Sequence, residues 1–144
     1  MIRFFSISSF RPRLAALLKV KRGVYAGVSE EICNAFHNLS IEQIRSNRDM
    51  ILMSSEVITI KMRMADKKQR LSKSDGYRLI YLVLKHLPVV VLLDVYPKRG
   101  PLQQLDISDN ETYRLVSEFY EELNNNSLLA HDINNNLSVI PKNE

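Results

Sequence analysis

Apolar and polar positions follow two periods along this chain, and the changes of period mark its elements. Residues 2–8, IRFFSIS, are aromatic and β-branched and predict a first strand. From Phe10, the positions Leu14, Leu17 and Leu18 keep helical spacing, with Ser9 placed to cap and Pro12 in the first turn. Gly23 and Gly27 break this pattern around Tyr25. A second helix is then predicted from Val28 or Ser29, with Ile32, Cys33, Phe36 and Leu39 on one face. Glu30 and Glu31 fall in its first turn, where carboxylates favour the helix dipole. The two helices read as a hairpin packed on a sheet. Residues 40–55 carry less signal: Ser40 and Gln43 are spaced to cap a short helix, while Arg45 and Arg48 fit a loop equally well and receive no role.

Residues 57–64 alternate. Ile58, Ile60, Met62 and Met64 point one way, and Thr59, Lys61 and Arg63 the other. A polar, basic loop follows to Asp75, and Gly76 is expected to supply an unusual backbone angle before the next strand. Residues 77–85 and 89–96 are almost unbroken apolar runs, which predicts central strands covered on both faces or nearly so. Leu87 and Pro88 leave room only for a short connection, hence an antiparallel pair. After Pro97, Lys98, Arg99 and Gly100 emerge together, residues 102–107 read as a loop, and Ser108 with Glu111 forms a capping box. Tyr113, Val116, Phe119, Tyr120 and Leu123 then give a last helix its apolar stripe. From Asn124 the chain is Asn-rich and predicts a mobile tail or a segment that docks. The order is β-α-α-β-β-β-α. It predicts an α+β domain over residues 1–123: a small antiparallel-rich sheet, with the helical hairpin and the C-terminal helix packed on one face of it. Residues 124–144 form the tail.

Charge sharpens this picture. Between Val57 and Arg99 lie ten basic and three acidic side chains, so the stretch is +7 in a chain of net +4. Residues 101–144 hold eight acids and two bases. A cationic surface built on strands points to a polyanion, with RNA or DNA first. Lys67, Lys68 and Arg70 border the basic strand and are expected either to touch phosphate, giving salt-dependent affinity without sequence choice, or to be a solvated loop. Tyr77, Tyr81 and Tyr96 have rings that can stack a base; Tyr77 and Tyr81 fit the core better, and Tyr96 fits both uses. The single cysteine, Cys33, reads as a small core residue. His37, His86 and His131 lie apart and read as surface or satisfied polar groups rather than catalysts. Composition is that of a globular protein, at 45% hydrophobic and 25% charged. No apolar run approaches the roughly 18 residues of a membrane span, and Arg11 and Arg13 interrupt the N-terminal apolar stretch. A cytoplasmic protein without a signal peptide, a membrane partner or a cofactor is expected.

The run Lys73-Ser74-Asp75-Gly76-Tyr77-Arg78-Leu79-Ile80-Tyr81, preceded by Ile60-Lys61-Met62-Arg63 and followed by Val95-Tyr96-Pro97-Lys98 and a Ser108-capped helix, resembles the RelE/HigB family of bacterial type II toxins. The likeness covers residues 57–122. Asp75 stands where the family usually has a second glycine, and the tail is longer than the family needs. The resemblance implies an mRNA endonuclease acting in the ribosomal A site, with a cognate antitoxin as protein partner and no metal. The absence of HxH, CxxC or paired-carboxylate spacing agrees with the last point. By motif position, the implied active-site residues are Lys61, Arg63, Lys73, Arg78 and Lys98, with Arg99 beside them.

Metal-free cleavage uses the RNA 2′-OH as nucleophile. It needs a base for that hydroxyl, an acid for the departing 5′ oxygen, and positive charge on the pentacoordinate phosphate. Arg78 and Arg63 suit the last task, since a guanidinium fork holds two oxygens and stays charged. A lysine serves as base only where crowding cations or burial lower its pKa. Lys61, beside Arg63, is the first candidate and Lys73 the second. Lys98 is expected to protonate the leaving oxygen or to bind phosphate. Two other readings compete: a ParE-type inhibitor of DNA gyrase, and a non-catalytic RNA-binding module.

Overall fold

The computed structural model describes residues 1–47 and 49–142; Arg48 and the end of the tail lie outside the described residues. The elements in order are β1 (Arg3–Ser6), α1 (Phe10–Leu18), α2 (Val28–Phe36), α3 (Ile41–Arg45), β2 (Met50–Met53), β3 (Val57–Met64), β4 (Tyr77–Leu84), β5 (Val89–Pro97), α4 (Asp109–Asn124), β6 (Leu129–Asp132) and β7 (Ser138–Ile140). A 3-10 turn at Lys21–Gly23 joins α1 to α2. The architecture is α+β. One sheet carries the strands in the order β2-β3-β4-β5-β1-β6-β7, antiparallel throughout except for the parallel pair β1–β5. No helix among the described residues is long and apolar enough to cross a membrane.

The expected single helical layer is not what forms. Phe4 and Phe5 are consecutive on β1 and so face opposite sides of the sheet. Phe36 of α2 meets Phe4 at 5.2 Å and Tyr81 at 5.1 Å between ring centroids. Phe119 of α4 lines a hollow with Phe5 and Leu84 on the other side. Both faces are thus covered, which is why β4 and β5 are apolar at nearly every position and buried along almost their whole length.

Capping follows the sequence in part. Ser40 and Gln43 make the reciprocal box that starts α3, and Arg45 at its far end donates to the carbonyls of Leu84 and Leu87 at 2.9 and 2.8 Å. Ser108 accepts from the Glu111 N–H at 3.1 Å, but the Glu111 carboxylate turns to Arg114 at 2.6 Å, so that box is only half made. Ser9 does not cap α1. Its N–H donates to Glu118 at 2.9 Å, and Ser8 donates from its N–H to Glu122, also at 2.9 Å, which ties α4 to the β1–α1 junction.

Gly76 is needed for space, not for an unusual angle. Positive φ among the glycines occurs at Gly23 and Gly100. A Cβ on Gly76 would lie 2.1 Å from the Met64 carbonyl oxygen.

The edge strand β2 and the strands of the tail were not foreseen, although docking was one of the two readings of that tail. β2 is an edge strand exposed on most positions, so Met50–Met53 shows no alternation. The Asn-rich tail is ordered as the hairpin β6–β7, with β6 paired to β1. Its asparagines are turn residues: Asn126 and Asn136 adopt φ of 53° and 52°, in the left-handed region that Asn tolerates better than most side chains.

His131 fastens this hairpin, as a satisfied buried polar group. Its Nδ1–H donates to the Leu137 carbonyl at 2.8 Å, which leaves Nε2 to accept from the Ser6 hydroxyl at 2.6 Å. Arg11 also donates to the Ser6 oxygen at 3.3 Å. Burial first, and Arg11 as the charge opposing it, lower the His131 pKa from 6.5. The folded state therefore favours neutral imidazole. Below pH 6.5 the unfolded chain binds a proton that the folded chain resists, so stability falls as the pH falls from 6.5 toward the lower folded pKa. Thermal melts at pH 7.5 and 5.5 are expected to separate further for the native chain than for His131→Gln; equal separations would remove His131 from the pH dependence.

Candidate functional site

The alternation of β3 and its register with β4 build a cationic cleft on the α4 side of the sheet. Lys61 pairs with Ile80, and Arg63 stands directly opposite Arg78. A bulge in β5 completes the arrangement. Leu92 pairs with Tyr81 but Asp94 pairs with Ile80, so one extra residue, Leu93, sits between them. Leu92 shares the α2 side with Tyr81, whereas Asp94 and Tyr96 are switched to the α4 side, where Tyr96 opposes Arg78. Lys98 follows, held by its N–H at 2.8 Å from the Gly76 carbonyl. Lys61, Arg63, Arg78, Tyr96 and Lys98 line one hollow of about 380 Å³.

Within it the side chains differ in what they are free to do. Lys61 donates to Asp106 Oδ1 at 2.8 Å. The Tyr96 hydroxyl lies 3.4 Å from the same oxygen. The Asp106 carboxyl is held below the usual carboxylate range, first by Lys61 and then by its own contact with the Ile107 N–H. Lys98 Nζ donates to the Leu105 carbonyl. Arg78 is buried, and its guanidinium donates to the carbonyls of Lys73 at 3.0 Å, Ser74 at 2.9 Å and Tyr77 at 3.2 Å. Burial first, then Arg63, lower its pKa from the ordinary guanidinium value. Arg63 is exposed and has no ion-pair partner among the described residues. It is the guanidinium best able to meet an incoming anion. Burial, then Asp106, push the Tyr96 phenol up, so it is a proton donor at neutral pH.

Other expected residues lie elsewhere. Lys73 gives the cleft only a backbone carbonyl, through Arg78, and its exposed side chain does not line the hollow. Lys67, Lys68 and Arg70 are exposed on a loop that leans the other way: the Lys67 N–H donates to Glu31 of α2 at 2.6 Å, and Lys68 Cβ stands against Gly27. They do not line the cleft. Arg99 pairs with Asp75 across the solvent-exposed β5 exit at 2.8 Å. The Tyr96 ring is 1% exposed and cannot stack a base; its hydroxyl alone faces the cleft. Tyr77 and Tyr81 are core residues.

Sequence reasoning missed Asp106, Asp49, Met50, Ile51 and Leu105, all of which line the hollow. They come from the unrecognised edge strand β2, the turn before it, and the loop before α4. Among the described residues there is no cluster of three or more His, Cys, Asp or Glu able to hold a metal ion. Comparisons with protein-family models, curated proteins and solved structures gave no match.

Proposed function

We propose that this chain is a RelE/HigB-like toxin of a type II toxin–antitoxin system, an endoribonuclease that cuts mRNA in the ribosomal A site. The observation that carries this reading is the cleft itself: Lys61, Arg63, Arg78, Tyr96 and Lys98 converge from three adjacent strands and the β5 exit. Such a set suits in-line attack of a 2′-OH on its own phosphate. Arg63 and Lys98 hold the phosphate oxygens, and Lys61, free of Asp106 and in its neutral amine form, takes the hydroxyl proton and becomes the ammonium. Tyr96 or Lys98 returns a proton to the departing 5′ oxygen. Arg78 adds buried positive charge behind Arg63 and shapes the turn. A cognate antitoxin would inhibit by covering this cationic surface.

Inducible expression in a bacterial host, with primer extension on an abundant mRNA, tests the reading. Growth arrest with new cuts inside translated regions is expected. Arg63→Ala, at an exposed position, should lower cutting by roughly 10²-fold, the usual effect of removing one donor to a developing oxyanion. Arrest without cuts, accompanied by a DNA-damage response, would replace this reading with gyrase inhibition.

A further inference from the structure

The loop between β5 and α4 brings an anion into the cleft. Asp106 Oδ1 accepts from three donors: Lys61 Nζ of β3 at 2.8 Å, the Tyr96 hydroxyl of β5 at 3.4 Å, and the N–H of its own neighbour Ile107 at 2.8 Å. Lys98 is drawn to the adjoining Leu105 carbonyl. Beside the local Ile107 N–H, the Asp106 oxygen is met by an ammonium and a phenol from two strands. Arg63, which has no ion-pair partner among the described residues, lies on the same wall. Those strand donors also suit a phosphoryl oxygen. We propose that Asp106 occupies, in cis, the subsite for a phosphodiester of single-stranded nucleic acid, and that it must swing out before a strand binds.

The loop is held at both ends and leaves such a movement to one side chain. Its start is fixed: buried Tyr25 donates to the Arg99 carbonyl at 2.7 Å and accepts from the Leu102 N–H at 3.1 Å. Its end is fixed by the Ser108 cap. Gln104 is held by the Pro97 carbonyl at 2.9 Å and by Arg13 at 2.8 Å. Between Gln104 and Ser108, Ile107 packs against the core and Gln104 Nε2 holds the Asp106 carbonyl at 3.0 Å. The Leu105 residue is 86% exposed and the Asp106 side chain 64%, so the movement required is of the Asp106 side chain and not of the loop. Displacement is cheap, because an exposed ion pair shifts an equilibrium by only about twofold to fivefold. A phosphodiester facing Lys61, Arg63 and Lys98 together has more to gain than one carboxylate facing Lys61. Leu105, Met50 and Ile51 form an apolar rim to the same hollow, where an unstacked base has a surface to rest on.

This inference rests on reading the cleft as a nucleic-acid site, but not on its cutting. Binding of a fluorescent 2′-deoxy hexanucleotide, which lacks the attacking hydroxyl, separates the two. Asp106→Asn keeps the shape of the side chain and removes the charge. It is expected to bind the hexanucleotide about threefold to tenfold more tightly at low salt, with the gain shrinking as salt rises. Glu121→Gln removes an exposed α4 carboxylate outside the cleft and should change affinity by less than about twofold. Unchanged or weaker binding by Asp106→Asn would make Asp106 a brace for Lys61 and overturn the proposal. An equal gain in Glu121→Gln would reduce it to net charge and also overturn it. Inorganic pyrophosphate forms a second arm: tightening for pyrophosphate without tightening for the hexanucleotide would assign the site to a free phosphate and reject the strand. If the hexanucleotide result stands while no mRNA is cut in cells, the nuclease reading fails and the subsite survives. Cutting without any gain in binding would remove the subsite alone.

Discussion

A Gly76→Ala variant is expected to lose about 4 kcal/mol of stability, which puts it in the rare severe class of single substitutions. The cause is steric. A methyl at Gly76 would stand 2.1 Å from the Met64 carbonyl oxygen and 2.8 Å from both Ala65 C and Asp66 N. All three are backbone atoms at the end of β3, so no side chain can rotate to relieve the overlap. Met64 is directly paired with Tyr77, and the Gly76 carbonyl accepts from the Lys98 N–H at 2.8 Å. A shift of roughly 1 Å at Gly76 would therefore disturb the β3–β4 register and the β5 exit together, with a cost on the scale of core overpacking or more. Urea denaturation measures it. Gly27→Ala is the matched control, since a methyl there meets nothing nearer than Lys68 Cβ at 3.8 Å. It should cost no more than about 1 kcal/mol, through the weaker N-cap. A Gly76→Ala midpoint as close to native as that of Gly27→Ala would show that the turn relaxes and that the close approach is not a constraint.

The same turn shows why part of the site was legible in the sequence and part was not. Lys61 and Arg63 were readable because β3 is half buried: its apolar set points inward, and two-residue spacing puts both cations on the opposite face. Tyr96 was named for its ring, but the role of its hydroxyl was not readable, because β5 is apolar on both faces. No alternation reveals the bulge at Leu93, yet that bulge decides which way the hydroxyl points. Lys67, Lys68 and Arg70 are near β3 in sequence but are carried toward α2 by the Lys67–Glu31 contact, so nearness along the chain misled. Asp106 meets Lys61 across 45 positions, in a loop with no period at all. β6 and β7 were hidden by composition: strands of four and three residues joined by asparagines look like low complexity until the left-handed turn at Asn136 is seen.

Arg78 carries the second large effect, and it changes how the cleft should be probed. From its motif position alone, Arg78 reads as a phosphate ligand. Its guanidinium instead satisfies three carbonyls of the β3–β4 turn, at Lys73, Ser74 and Tyr77, from a residue only 9% exposed. Hydrogen bonds from a charged donor contribute about 1.5–3 kcal/mol each. Part of that sum is offset, because the charge is buried and faces Arg63 across the strand pair. Arg78→Ala should therefore destabilise the protein by about 2–4 kcal/mol, or roughly 6–12 °C in Tm for a chain of this size. Arg78→Lys keeps a charge but cannot reach Lys73 and Ser74 with one planar fork, so it should recover less than half of the loss. Arg63→Ala, exposed and without an ion-pair partner among the described residues, should stay within about 0.5 kcal/mol of native. Amide exchange at residues 73–77 locates the damage: it should accelerate in Arg78→Ala and not in Arg63→Ala. If Arg78→Ala melts with the native chain, the three carbonyls are satisfied some other way and Arg78 is free to bind phosphate. If it melts early, lost cutting in that variant reports a loosened turn, and Arg63→Ala becomes the substitution that reads phosphate binding without disturbing the fold.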